Sequence, residues 1–453
     1  MRLSCIYVVF GVVFGASLSL LAADRAYTSY AEVKPVLDVQ PGQLPRELAS
    51  PDEAKWIAWS QREDQAIRAR LQQGDLDSMV NLLLFGTSFT KQPRIKVESL
   101  TEASKSGVLR VCVDDLAAGL RSPGKNERLI FLRDLLRSKG IDPGAASETG
   151  VFLYNNLLRV LQERETFAER AKEVQPSSLL DRSSLFHDRG VSLDTSILPN
   201  FSIEQALLDL KKRGLLREGQ VARVAVIGPG LDFIDKNEES GYDYYPQQTL
   251  QPFALYDSLV RLGLARGNAV SMSIFDIRSR VIDHIQRTRE RAAKNTGYVI
   301  QLPRDVARPW PPELVACWRS LGDWVGSPIA PIRPPEIFQG LETRAVRIPP
   351  ELVLALKPVD LNIVLERLPL AATDRFDLMV GTNIFLYYDA FEQTLALENA
   401  GAMLKPGGLL LTSDRLPEVP GGSMRQAGVI DVRYDVSGVS SYDAVGWYVR
   451  KPD

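Results

Sequence analysis

The chain has 453 residues, 45% of them hydrophobic and 24% charged, and a formal net charge of −2. That length exceeds one typical hydrophobic core, so two or three domains are expected, and a near-neutral balance gives no reason to expect nucleic acid as a partner. Two histidines (His187, His284) and three scattered cysteines (Cys5, Cys112, Cys317) do not supply the clustered ligands of a zinc site, so no metal is expected.

Residues 6–23, IYVVFGVVFGASLSLLAA, are uncharged and apolar behind Arg2 and end in small residues before Asp24. This pattern reads as a secretory signal peptide with Ala22-Ala23 at its cleavage end, or as an uncleaved anchor bringing the chain to a membrane. The expected location is therefore exported or envelope-associated, and cytoplasmic if the segment is not a true signal. Residues 24–50 carry several prolines and read as a linker. Over 51–180 the spacing becomes helical. Ile67 and Leu71 share a face, as do Leu129, Leu132 and Leu136, then Leu153, Leu157 and Leu161. Gly74, Gly107, Gly124 and Gly140 punctuate these segments, and an α-helical N-terminal domain is expected.

Residues 173–200 are polar and turn-rich. Ile203, Ala206, Leu207 and Leu210 then predict a helix, followed by the apolar run Arg223 to Phe233, which contains Gly228-Pro229-Gly230. Further alternation follows: a helix over roughly 250–264, a strand over 269–275 closing at Asp276, and a helix to about 295. Tyr298 to Leu302 and Leu352 to Leu356 compete for the next strand. Between them, residues 303–350 hold ten prolines together with Trp310, Trp318, Trp324 and Phe338, and read as an irregular insert. Strand 376–381, a helix near 390–404 and strand 409–412 resume the alternation. The stretches 429–436 and 444–449 are too closely connected to lie parallel and predict an edge hairpin. The fold class is α/β: a doubly wound, mostly parallel sheet over 201–453 with an antiparallel C-terminal hairpin.

A glycine turn at the carboxyl end of a buried parallel strand is where an open α/β sheet binds ligands. No third glycine completes a dinucleotide fingerprint, and Asp232 brings a carboxylate that would repel a pyrophosphate, which disfavours NAD and FAD. Asp276 closes the second strand, where a carboxylate can accept hydrogen bonds from both ribose hydroxyls. It lies 46 residues after Gly230, and residues 234–249 account for the excess as a loop bearing Tyr242, Tyr244 and Tyr245. A helix N-cap is the structural alternative at Asp276, and a turn with no ligand the alternative at Gly228-Pro229-Gly230.

The segments FDLMVGTNIFLYYD (376–389) and MLKPGGLLLTSD (403–414), with LKPVDLN (356–362), resemble the Rossmann-like S-adenosylmethionine-dependent methyltransferases. Asn383 with Tyr387-Tyr388-Asp389 is most similar to the chemotaxis receptor glutamate methyltransferases. The resemblance covers roughly 201–453 and implies a seven-stranded sheet with S-adenosylmethionine as cofactor. It implies that Gly228 and Gly230 shape the turn under the methionine end, Asp276 binds the ribose, and Asp360 and Asn362 lie beside the adenine. Asn383 would face the reaction centre, with Tyr387 nearby as a candidate catalytic group and Asp389 as a candidate base. Val226 stands where the family carries an acid, and Asp232 is the candidate replacement. The methyl acceptor is not legible. A different class of function is a catalytically degenerate version of this fold serving as an exported interaction protein.

Overall fold

The computed structural model describes residues 27–39, 42, 44–92, 94–95, 107–173, 196–234, 242–338, 340–434 and 442–452. The apolar run 6–23 lies outside them. Among the described residues no helix is long and apolar enough to cross a membrane.

The N-terminal part is helical: α1 (Tyr30–Val39), α2 (Glu53–Phe85), α3 (Val108–Arg121), α4 (Glu127–Ser138) and α5 (Ala146–Glu173). Asp52 caps α2 by accepting the Lys55 amide at 2.8 Å, and Asn126 caps α4 through the amides of Arg128 and Leu129. Gly74, expected to break the helix, lies inside α2. Within the expected linker 24–50, residues 30–39 form α1, which buries Val33, Val36 and Leu37. Pro35 sits within α1, and its proline-rich surroundings concealed the apolar face.

Helix α6 (Ile197–Lys212) leads into β1 (Arg223–Ile227), and α7 (Gln251–Arg261), β2 (Ser271–Asp276) and α8 (Ser279–Ala292) follow. Past the insert come α10 (Pro350–Leu354), β6 (Leu356–Asp360), β7 (Phe376–Gly381), α11 (Ala390–Met403), β8 (Leu404–Thr412), β9 (Met424–Arg433) and β10 (Tyr442–Arg450). The seven strands lie in the order β6-β2-β1-β7-β8-β10-β9. The first five are parallel, and β10 is antiparallel to both neighbours, so the expected edge hairpin is present.

Period-two alternation sends each strand's side chains to two cores. Val224, Val226, Met272, Ile274, Leu378 and Val380 join one, packed with residues of α6, α7 and α8. Ala225, Ile227, Phe275, Met379 and Leu410 join the other. On that second face the crossover from β6 to β7 and the connection from β8 to β9 contain no α-helix, so α11 is joined there only by loop residues such as Leu361, Ile363, Val364 and Leu365 from the sheet region. The N-terminal arm completes the cover. Val33, Val36, Leu37, Trp56, Trp59 and Ile67 belong to this second core, with Trp59 and Phe391 rings 5.4 Å apart. Backbone and side-chain bonds secure the arm: Thr28 N donates to Leu365 O at 2.8 Å, and Trp56 Nε1 to Thr28 O at 2.7 Å. The helical segment and the sheet therefore share hydrophobic cores.

The insert is more regular than its prolines suggested. β3 (Tyr298–Asp305), α9 (Pro312–Ser320), β4 (Ser327–Ile329) and β5 (Leu341–Ile348) form a separate antiparallel sheet in the order β3-β5-β4. Neither candidate for the next main-sheet strand holds that place. Tyr298 to Leu302 belongs to the insert, and residues 352–354 are helical in α10, with Pro350 opening the helix; the strand beside β2 is β6. Tyr298 anchors the insert, its hydroxyl accepting the Thr249 amide at 2.8 Å and lying 2.9 Å from His284 Nε2.

Trp56→Ala should cost roughly 3–5 kcal/mol in urea unfolding, as for a buried tryptophan; a cost within error would separate the arm from the core. Burial, followed by Arg291, Arg287 and Arg280, pushes the His284 imidazole down to about 4 from 6.5. The unfolded chain then binds the extra proton between these values, so stability is full above pH 6.5 and falls as pH drops towards 4, by about 3 kcal/mol from this group. His284→Gln should flatten that part of the stability-versus-pH curve, and an unchanged curve would assign the loss to another group.

Candidate functional site

The carboxyl ends of β1 and β7 form the crevice at which the strand order reverses. β1 leaves the sheet at Gly228, whose φ of 62° is in the left-handed region, and Gly230 follows at 68°. Gly228 N donates to Phe275 O at 2.7 Å, tying the turn to β2 one residue before Asp276. A Cβ on Gly228 would lie 3.0 Å from Ile384, and one on Gly381 would lie 3.3 Å from the same side chain. Ile384 thus walls the crevice between the two strands, and a Cβ at Gly228 would press on it.

Asp276 and Asp360 are paired in register at the ends of β2 and β6. Asp276 accepts the Arg278 amide at 2.8 Å, an Asx-type turn rather than a helix cap, since Arg278 is the residue capping α8. Burial, with Asp360 adding to it against the pull of Arg278, raises its carboxyl to about 6. Asp360 takes a hydrogen bond from Arg68 Nη2 at 3.0 Å.

Asn362, expected beside the adenine, is fully buried instead. Its Nδ2 donates to Asp64 Oδ1 at 2.9 Å and its Oδ1 accepts the Val364 amide, so it anchors α2. Asp232 is likewise turned away from the crevice. Tyr245 Oη donates to it at 2.5 Å and Gln248 Nε2 at 3.3 Å, beside a cavity of about 20 Å³ bounded by Ile197, Leu302 and Trp318. Arg128 of α4 lies 3.9 Å from the same carboxylate and donates to the carbonyls of Asp232, Phe233, Tyr242 and Tyr245. Buried carbonyl oxygens need donors, and this one buried guanidinium supplies four of them, tying residues 232–233 to Tyr242 and Tyr245. Tyr242 and Tyr245 pack in this assembly, Tyr242 edge-on to Phe338 at 5.0 Å. Val226 faces the core with no exposure, so that position offers the crevice nothing.

Beyond β7, Asn383 is exposed and adopts φ 56°. Its amide nitrogen donates to Ser413 Oγ at 2.7 Å, and that hydroxyl donates back to Asn383 Oδ1 at 3.1 Å. This leaves the carboxamide nitrogen to meet a ligand at the strand end. Tyr387 is half-buried, and its carbonyl accepts from Arg70 Nη2. Tyr388 is buried, which raises its phenol. Asp389, the candidate base, is instead the N-cap of α11 in a reciprocal capping box with Glu392.

Sequence reasoning missed Asp64, Arg68 and Arg70. They lie on α2, and only the folding of that helix over the carboxyl edge brings them to the site. The i,i+4 spacing of Asp64 and Arg68 was visible, but nothing local reveals that its target is 292 residues away at Asp360.

No family model matches the chain, and no curated protein matches it. Solved structures similar to it include the N-methyltransferase NodS from Bradyrhizobium japonicum WM9, at 12% identity over 55% of this chain and 95% of that one, TM-score 0.26. Magnesium protoporphyrin IX methyltransferase from Synechocystis PCC 6803 with bound SAM is 9% identical over 62% and 90%, TM-score 0.26. The glycopeptide N-methyltransferase MtfA complexed with S-adenosyl-L-methionine is 10% identical over 58% and 97%, TM-score 0.25. Scores this low decide nothing about the chemistry of this chain, and its fold rests on its own strand order.

Gly228→Ala should destabilise the protein by roughly 1–3 kcal/mol, combining a left-handed backbone with the Ile384 contact. Adding Ile384→Ala should return the steric share in a double-mutant cycle, and strict additivity would show that the two side chains do not meet.

Proposed function

We propose that the chain transfers a methyl group from S-adenosylmethionine to an acceptor nucleophile. The observation that carries this reading is the carboxyl-edge constellation, in which a left-handed glycine turn at the crevice is bonded to β2 one residue ahead of the Asp276 carboxylate. The residues present suit the adenosine half of that cofactor: Asp276 to accept from ribose hydroxyls, and Asp360 beside it at the next strand end. On the methionine side the glycine backbone can approach closely, while Val226 and Asp232 supply no carboxylate. When bound, the cofactor supplies an electrophilic methyl on a sulfonium. The protein's part is to hold the acceptor in line and keep water out, which requires no metal or histidine. Ile384 walls the crevice, and Asn383, braced by Ser413, offers its amide to the acceptor. The likeness to the chemotaxis receptor glutamate methyltransferases makes a carboxylate the first acceptor class to test, since a carboxylate nucleophile needs no base.

A second reading follows from the burial of Val226 and Asp232 together with the apolar run 6–23: a degenerate methyltransferase fold working as an exported or envelope-associated interaction protein. Fractionation of cells followed by a cofactor assay on the purified chain separates the two, because a cytosolic protein that retains cofactor excludes this one.

Calorimetric titration with S-adenosylhomocysteine tests the main reading, which fails if nothing binds by about millimolar. Asp276→Ala should weaken binding roughly 10- to 100-fold, as for a lost charged hydrogen-bond pair. Because the carboxylate form must accept from the ribose, affinity should rise with pH through about 6 and level off above it. Asp276→Asn should abolish that inflection, and its persistence would remove Asp276 from the site.

A further inference from the structure

Helix α2 crosses the carboxyl edge of the sheet, and its polar ties land on the positions that frame the proposed adenosine site. Arg68 makes two of them, to Ile277 and Asp360. Its Nε lies 3.1 Å from both oxygens of Asp64, Nη1 donates to Ile277 O at 2.9 Å, and Nη2 donates to Asp360 Oδ1 at 3.0 Å. Asp64 is itself buried and held by Asn362 at 2.9 Å. A guanidinium gripped on three edges has its plane set before any ligand arrives. That plane bridges the gap between the residue after Asp276 and the residue in register with it, where strand ends are about 5 Å apart. A base attached to a ribose at Asp276 reaches this gap.

The surroundings select the ligand's charge. Arg68 is paired with Asp64 and Asp360, and Arg278 with Asp75, so with Asp276 the carboxylates outnumber these two guanidinium groups, a balance that does not favour an anion. The Arg68 and Asp360 side chains are 24% and 38% exposed, so the pair lines the opening and is not sealed inside the protein. A neutral planar heterocycle meets both conditions, since a guanidinium stacks on such rings.

We infer that Arg68 of α2 is a cofactor-binding residue whose guanidinium plane packs on the adenine. This rests on the proposed methyltransferase reading and makes the N-terminal helix one wall of the cofactor site.

The full-length chain should be titrated with S-adenosylhomocysteine and with 5′-methylthioadenosine, which lacks the amino-acid end. Arg68→Ala should weaken both by roughly 3- to 30-fold, the range of a partly desolvated cation–π contact. Arg68→Lys, which keeps the charge and loses the plane, should not restore binding. Arg68→Met keeps the length of the side chain and serves if the alanine variant does not fold. Unchanged affinity in a folded Ala or Met variant would make Arg68 a brace for α2 and overturn the inference alone. Tighter binding would show that the guanidinium occupies the ligand's space, and would overturn it as well. Full rescue by Lys would reduce the effect to charge and sink the stacking role. Failure of the wild-type chain to bind either ligand would remove the methyltransferase reading and this inference with it.

Discussion

A doubly wound sheet has two apolar faces, and each must be covered before the strands are stable in water. In this chain the second face has a single helix from the sheet region, α11, because the connections after β6 and β8 carry no α-helix. Further cover comes from the loop residues Leu361, Ile363, Val364 and Leu365 and from α1 and the first turns of α2, through Val33, Leu37, Trp56 and Trp59. Burying a tryptophan or leucine contributes on the order of 2 kcal/mol each, so the arm is a large part of what holds this face. The N-terminal segment is thus built into the core of this face.

Covering that face also decides where α2 travels. A helix of 33 residues that begins against Phe391 continues across the carboxyl edge, where Arg68 meets Asp360 and Arg70 meets the Tyr387 carbonyl. Ion pairs half-open to solvent add little stability, typically under about 1 kcal/mol. Their consequence here is positional: apolar burial fixes the helix, and the helix then aims its polar side chains at the crevice. Arg128 of α4 plays a comparable part on the other side, gathering four carbonyls around the turn that follows Gly230.

That arrangement explains why Asp232 is unsuited to the role of a replacement acid. Its carboxylate is engaged by Tyr245, Gln248 and the nearby Arg128, in a pocket of the insert and α6, away from the β1–β7 crevice. An aspartate four residues past the start of a glycine turn looks available in a linear reading. Here Leu231, Phe233 and Ile234 pull the segment into the core, and the carboxylate goes with them.

The alternation of apolar runs and helical spacing determined the α/β class, the positions of β1, β2, β7 and β8 and the C-terminal hairpin, because those signals are local and periodic. Glycines at 228 and 230 and an acid at 276 were legible for the same reason: a tight turn and a strand end each leave a mark in a few adjacent residues. The insert's small sheet was not, since prolines mask its strands and their pairing partners lie 16 to 50 residues away. Nor were the separate fates of Asp276, Asn362 and Asp232, three polar residues near strand ends. One stays at the edge, one is buried under α2, and one is withdrawn with its loop. Burial and the reach of a helix over the sheet depend on contacts across hundreds of residues, so only the tertiary structure could show that Arg68 meets Asp360 at the carboxyl edge and that Asp232 is buried against Tyr245.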